Sequence, residues 1–480
     1  MSPLTLNPLP AAAAPPGAAA EPQLSPALLR RFDVPGPRYT SYPTADRFVE
    51  AFGADDYAQA LAQRRQAGRA AGLPLSLYVH IPFCDSLCYY CACNKIVTRR
   101  HEKGREYLQY LRREIALQVE HLGRGALVSQ LHLGGGTPTF LNDGELAQLM
   151  AMLREAFAFA AEGEYSIEVD PRTVDEARLA RLAELGFNRL SFGVQDFDPA
   201  VQKAVHRVQP AEEVFALVAA ARRLGFGSIN VDLIYGLPRQ TAESFERTLA
   251  QVGELRPDRI ALYAYAHLPE RFKPQRRIDA AELPPPGAKV EMLSRAIEAF
   301  AEVGYSYIGM DHFALPDDAL AIAKRQGRLH RNFQGYSTQP DCDIIGLGVS
   351  AIGRVGATYS QNAKTLEEYY DLLGQGRLPV ARGLALTRDD VLRRAVVMAL
   401  MCQGRVDFEA VGAAHLVDFG RHFAAELEAL QALADEGLVR LDAQAIEVTP
   451  TGWFFVRAVA MVFDRYLQAD RARSRFSRII

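Results

Sequence analysis

The chain has 480 residues, 49% of them hydrophobic and 23% charged, enough apolar sequence to bury one large core and a smaller one. Its formal net charge of −3 excludes the strongly basic balance of a nucleic-acid or anionic-membrane binder. No apolar run approaches the roughly 18 residues of a membrane span, and four of the six cysteines fall within ten residues rather than scattering as a disulfide scaffold would, so a reducing compartment, the cytoplasm, is expected.

Residues 1–22 are Ala/Pro-rich and have no charged segment before the alanines, which predicts a disordered tail rather than a targeting peptide. Residues 23–54 form an arm that contains PGPRYTSYPTADRF, Pro35 to Phe48. Its prolines and tyrosines fit a turn-rich surface segment. The functional alternative is that Arg38, Tyr39 and Tyr42 fold over an active site.

From 55 to 375 strand and helix patterns alternate. Apolar runs at 75–81, 128–133, 164–169, 188–193, 228–234 and 258–265 predict buried parallel strands, with amphipathic helices such as REYLQYLRREIALQVEHL between them. ELGF ending at Phe187, RLGF at Phe226 and EVGY at Tyr305 each place a glycine after a helix, suited to a left-handed cap. The predicted architecture is α/β, an open (β/α)6 partial TIM-like barrel, whose reacting groups belong at the carboxyl ends of the strands.

The first strand leads into YVHIPFCDSLCYYCACNK, which spaces Cys84, Cys88 and Cys91 four and three residues apart, with Cys93 just beyond. Free thiols in a reduced protein would explain them without chemistry, but four so close rarely arise that way. A structural zinc site would pair one C-x2-C with a second pair or with histidines, and Cys342 and Cys402 stand alone. An iron-sulfur cluster on three cysteines leaves one iron open, which a substrate chelates directly.

The second strand runs into Gly134, Gly135, Gly136 and Thr137, a run that lacks the lysine of a phosphate-binding loop. Glu168 ends the third, Gln195 follows the fourth, and Asp232 lies on the fifth. Each polar strand end alone fits a satisfied hydrogen bond; the set around one cysteine loop points to function. His206 and His312 are candidate proton donors, though packed histidines are commoner.

Residues 376–480 predict a smaller, mostly helical domain, with AIEVTPTGWFFV as a hairpin or wing. Winged helices bind DNA, but Arg382 to Arg478 carries 13 Arg against 13 Asp and Glu and no Lys, which removes the basic face required. A cover for the substrate side of the barrel is expected instead.

The C-x3-C-x2-C loop after a strand, with Tyr90 before the third cysteine, resembles the radical S-adenosylmethionine (SAM) superfamily. YVHIPFC, LHLGGGTPT, IEVDPRT, LSFGVQDF, VHRVQP, DLIYGLP, GMDHFA and RNFQGY together resemble the oxygen-independent coproporphyrinogen III oxidases (dehydrogenases). That family uses SAM to turn the ring A and B propionates of coproporphyrinogen III into vinyls, giving protoporphyrinogen IX and two CO2. The resemblance implies that Cys84, Cys88 and Cys91 hold a [4Fe-4S] cluster and that two SAM molecules bind. Tyr78, Gly135, Glu168 and Ile352 would surround the cluster-bound SAM, and Tyr90, Gly136, Thr137, Gln195, Arg207, Asp232 and Ala266 the second.

Tyr78 and Cys93 are the implied catalytic residues; Cys93 as a fourth ligand would close the open iron, so a thiol beside the substrate, or simple packing, is expected. A tetracarboxylate substrate calls for arginine and hydroxyl donors, for which Arg38, Tyr39, Tyr42, Arg331 and Lys95 are candidates. A low-potential electron donor of flavodoxin or ferredoxin type is implied, with no nucleic-acid partner, and a monomer is expected. Two other functions stay open: a haem-handling paralogue without decarboxylase activity, against which Cys93-Asn94-Lys95 and the PRYTSYP arm speak, and a non-catalytic iron-sulfur electron carrier. Trp453 and Ala458 depart from the family pattern, where arginine and asparagine are common.

Overall fold

The computed structural model describes residues 26–32, 34–71, 73–339 and 341–469; the expected tail at 1–22 lies outside them. Its frame is one twelve-stranded sheet. Six strands match the predicted runs: β1 (Leu75–Ile81), β2 (Ala126–Gly135), β3 (Phe157–Val169), β4 (Arg189–Gln195), β5 (Ser228–Tyr235) and β6 (Arg259–Ala264). They pair in parallel in chain order, with Leu77 opposite Leu131 and Phe192 opposite Val231. The core-facing residues of β1, β4 and β5 are buried.

The sheet extends beyond the six expected strands. On the β6 edge come β7 (Ser306–Gly309) and β8 (His312–Ala314), with β8 antiparallel to β6. On the other edge, β9 (Asp343–Leu347) adds to β1 as a seventh parallel strand, followed by the antiparallel β10 (Ile352–Val355), β11 (Thr358–Asn362) and β12 (Val380–Ala385). These strands are three to six residues long and no helical pattern separates β9 to β11, so they carried no βα signature. Because β12 completes the large sheet, the barrel sheet passes the expected boundary at 375.

The helices start and stop where their caps dictate. α1 (Ala54–Ala71), α2 (Glu102–Leu122) and α3 (Asp143–Ala156) flank β1 and β2. α3 begins in a capping box, where Asn142 accepts from the Glu145 N–H and Glu145 accepts from the Asn142 N–H. Gly186, Gly225 and Gly304 have φ of 91°, 83° and 88°, left-handed as the repeat predicts.

A second core lies beyond β12. There β13 (Arg405–Asp407), β14 (Val439–Leu441) and β15 (Ala445–Val448) form a three-stranded sheet packed with α8 (Arg388–Gln403), which follows the barrel helices α4 (Glu176–Glu184), α5 (Ala211–Arg223), α6 (Ala242–Leu255) and α7 (Pro286–Glu302). The expected hairpin over AIEVTPTGWFFV is half right: the hairpin joins β14 to β15, while Gly452–Phe455 is a 3-10 turn that runs into a helix over Val456–Met461. The bulky Trp453 ring packs over Lys324 Nζ at 4.0 Å.

The arm at 34–53 is clamped between the two cores. Val49 bridges to Gly383 of β12, and Arg331 Nε and Nη2 donate to the Arg38 carbonyl at 3.3 and 3.2 Å. Tyr39 Oη donates to Asp464 Oδ2 at 3.0 Å.

Candidate active site at the carboxyl ends of the strands

The even spacing of side chains along a strand puts one polar ladder on the inner face of the sheet. Gln130 and His132 on β2, Ser166 and Glu168 on β3, Ser191 on β4, and Asn230 and Asp232 on β5 line one cavity of about 160 Å³. Above it, at the strand ends, a cavity of about 240 Å³ is lined by all four clustered cysteines, Tyr90, Lys95, Gly135, Gly136, Thr137, Glu168, Gln195, Arg207 and Asp232. A third of about 450 Å³ takes Arg38, Tyr78, Cys93, Gly135, Glu168, Arg331 and Ile352. Cys93, Gly135 and Glu168 belong to both of the last two.

The cysteine loop leaves β1 and is held from three sides. Thr98 N–H donates to the Cys84 carbonyl at 2.9 Å, Tyr89 N–H to Val205 O at 2.9 Å, and Gln275 Nε2 bonds Tyr90 O and Ala266 O at 3.1 and 3.2 Å. His206 braces the same loop: its Nδ1 meets Leu87 O at 2.8 Å and its ring stacks on Tyr89 at 5.1 Å. The glycine run packs directly on the loop's base. At Gly136 a Cβ would lie 2.7 Å from the Phe83 carbonyl oxygen, and at Gly135, with φ of 116°, 2.6 Å from the His80 ring.

None of the six cysteines is in a disulfide. Cys88 Sγ accepts from Arg207 Nη1 at 3.4 Å and Arg172 Nη2 at 3.6 Å, and Cys84 Sγ from Thr137 Oγ1 at 3.5 Å. Burial pushes the Cys84 thiol up to about 11, whereas the Cys93 hydrogen bond, aided by Lys95, brings Cys91 down to about 6. Among the described residues no group of three or more His, Cys, Asp or Glu side chains is set to hold a single metal ion. A multinuclear cluster differs, because each thiolate binds its own iron and the sulfurs need not converge. The thiol-lined cavity, with Lys95, Arg172 and Arg207 on its wall, fits such a group.

Arg207 is buried, with Nη2 on Gly193 O at 2.6 Å and Nη1 on Asp170 Oδ2 at 3.1 Å. Burial alone would raise Glu168, but His132 at 3.2 Å, the Gly135 N–H at 3.1 Å and His80 outweigh it and hold the carboxyl below its ordinary value. Burial, then the charge of Glu168, pushes Asp232 up to about 6. Tyr78 Oη meets His80 Nδ1 at 3.0 Å, and its ring stacks on His132 at 6.0 Å.

A radical SAM superfamily model matches residues 78–252, and a HemN C-terminal domain model matches 386–455. The oxygen-independent coproporphyrinogen III oxidase of Pseudomonas aeruginosa is 52% identical over 455 residues, which cover 94% of this chain and 98% of that one. Its Escherichia coli counterpart is 50% identical over 454 residues, 95% and 98% of the two chains. The solved structure of coproporphyrinogen III oxidase (HemN) from Escherichia coli, described as a radical SAM enzyme, superposes with a TM-score of 0.88 at 48% identity and covers 93% of this chain and 100% of its own.

The chain belongs to the oxygen-independent coproporphyrinogen III oxidases. As a radical SAM member of that family it uses a [4Fe-4S] cluster and SAM. In this coproporphyrinogen III oxidase family member the residues expected around two SAM molecules line two adjoining cavities, with Gly135 and Glu168 on both. Tyr90, Gly136, Thr137, Gln195, Arg207 and Asp232 share the cavity of the cysteines, whereas Tyr78 and Ile352 line only the neighbouring one. Tyr90 lies within the cysteine loop itself, while Tyr78 sits six residues before Cys84 on β1. Ala266 lines none of the three cavities, and its carbonyl instead braces the loop through Gln275.

Tyr39 and Tyr42 line none of these three cavities; both are fully buried in the second core, with Tyr39 tied to Asp464. Arg38 and Arg331 do reach the 450 Å³ cavity. Arg38 lies 5.2 Å over the Tyr263 ring and 3.9 Å from Asp311 Oδ2. His312 lines the cavity too; burial and Arg331 push it down to about 3, which favours the neutral ring. Sequence reasoning missed Asp170, Arg172 and His80. The first two stand in IEVDPRT and the third in YVHIPFC, so the motifs contained them, but only the fold shows that Asp170 holds both arginines beside Cys88. Among the described residues no helix is long and apolar enough to cross a membrane.

Proposed function

We propose that the chain oxidatively decarboxylates the ring A and ring B propionates of coproporphyrinogen III to vinyls, yielding protoporphyrinogen IX for haem synthesis without oxygen, in the cytoplasm and as a monomer. Carrying this reading is the pair of adjoining cavities, one with thiols and the other with arginines, that meet at Cys93, Gly135 and Glu168. A [4Fe-4S] cluster with SAM on its open iron supplies one-electron cleavage of the sulfonium to a 5'-deoxyadenosyl radical, reactive enough to take an unactivated hydrogen.

In this reading Cys84, Cys88 and Cys91 are the cluster ligands, and Arg172 and Arg207 offset the thiolate charge at Cys88. Tyr78, Gly135, Glu168 and Ile352 hold the cluster-bound SAM, and Tyr90, Gly136, Thr137, Gln195, Arg207 and Asp232 the second. Glu168 and Gly135 touch both spaces, with the ionised Glu168 suited to an ammonium or ribose hydroxyl. Cys93 is exposed at the junction, where it stays off the cluster and meets the substrate. A low-potential flavodoxin or ferredoxin supplies the electron.

Arg38 Nη2 and Arg331 Nη1 are buried and make no hydrogen bond. Bidentate guanidinium to propionate contact would satisfy both. Arg331→Gln is expected to raise KM for coproporphyrinogen III by about tenfold or more, a charge-assisted hydrogen bond contributing about 1.5–3 kcal/mol, with SAM affinity unchanged. An unaltered KM would remove Arg331 from the substrate site.

A further inference from the structure

We infer that the amino-terminal part of α2 and the groove beneath it form the docking surface for a negatively charged one-electron carrier protein. The inference rests on the radical SAM reading of the cysteine loop. In the step it serves, the reduced carrier loses one electron and the cluster gains one; no bond forms or breaks and no proton moves.

A groove of about 440 Å³ is lined by Cys84, His101, Phe140, Arg172 and Arg178. It shares Cys84, Thr137, Asp170 and Arg172 with the cysteine cavity, so a single layer of side chains separates a partner seated there from the thiols. The strand pair Phe83–Cys84 and Ile96–Val97 leads straight from this wall into α2, with Cys84 opposite Val97 and the Thr98 N–H on the Cys84 carbonyl at 2.9 Å.

The segment that leads from that wall into α2 is basic in a chain whose net charge is −3. Residues 98–113 carry six cations, Arg99, Arg100, Lys103, Arg105, Arg112 and Arg113, against Glu102 and Glu106. His101, Arg105 and Arg112 follow helical spacing along one flank, and Arg99, Arg105 and Arg112 are exposed. Some of the charge nearby is spoken for: Arg100 pairs with Glu102 at 2.7 Å, His101 with Asp85 at 3.6 Å and Arg178 with Asp143 at 3.1 Å. None of the ion pairs found among the described residues uses Arg99, Arg105 or Arg112. Val97, 44% exposed, puts an apolar contact on that segment. An exposed apolar residue on an arginine-rich segment suits an acidic protein that must bind briefly and leave, because such charges act on encounter rate and salt dependence more than on residence.

Reduced flavodoxin is the probe. For the loaded enzyme, Arg105→Glu with Arg112→Glu is expected to raise both KM for flavodoxin and Kd for labelled flavodoxin about tenfold at low salt, and to flatten their salt dependence. Turnover with dithionite should stay unchanged. Arg421→Glu with Arg440→Glu, the same charge change on the far domain, should leave both constants as they are. Unchanged constants in the α2 variant, or an equal rise in the control, would overturn the surface. Failure of the wild type to cleave SAM with dithionite would instead overturn the radical SAM reading, while the Kd comparison still judges the surface.

Discussion

Cys93 and Glu168 are the residues on which the two cavities turn, because each faces both. Replacing Cys84, Cys88 or Cys91 with Ala should abolish the cluster, read as bound iron and visible absorbance, together with activity. Cys93→Ser should keep the full iron content and lose vinyl formation; loss of iron would make Cys93 a ligand. Glu168→Gln removes a carboxylate that His132 and the Gly135 N–H keep ionised, and should raise KM for SAM roughly tenfold or more by the loss of a charge-assisted hydrogen bond. At this scale the sequence was most legible where spacing fixes geometry, as in the cysteine loop. It was least legible where two neighbours in one motif part company: Arg38 faces a cavity and Tyr39, next to it, is buried against Asp464.

Among the elements, the turn from β2 into the glycine run fixes the floor of the site. Gly136→Ala would force a Cβ against the Phe83 backbone and should destabilise the fold by about 1–3 kcal/mol, the usual range for overpacking, measurable by denaturant unfolding.

Behind it, Glu114 on α2 ties the barrel to the loop before β10. Its carboxylate accepts from Tyr369 Oη at 2.6 Å, the Gly348 N–H at 2.7 Å and Asn362 Nδ2 at 2.7 Å, yet burial still pushes it up to about 7 from 4.5. The folded carboxyl therefore keeps a proton that the unfolded chain releases. Its contribution to stability is complete below about pH 4.5 and lost as pH rises through about 7, by about 3 kcal/mol in all. Glu114→Gln should flatten that slope in urea melts between these pH values; an unchanged slope would assign it to other groups. The six long parallel strands were legible from continuous apolar runs, whereas β9 to β12 were not. Short antiparallel strands draw their stability from neighbours in the sheet, not from a pattern of their own.

For the whole molecule, the arm joins the barrel to the second core and carries Arg38 to the cavity of about 450 Å³. Tyr39→Ala would empty a fully buried site and remove the bond to Asp464. A loss of about 3–5 kcal/mol is expected for a buried aromatic, seen as proteolytic cleavage in the arm well before the barrel unfolds. The central claim is that one site joins SAM cleavage to propionate loss. It is tested most directly by anaerobic incubation of the reconstituted enzyme with reductant, SAM and coproporphyrinogen III, with 5'-deoxyadenosine, CO2 and protoporphyrinogen IX quantified together. The account predicts that all three rise in step, one deoxyadenosine and one CO2 for each vinyl formed. Deoxyadenosine without CO2 or porphyrin product, from an enzyme with a full cluster, would contradict it.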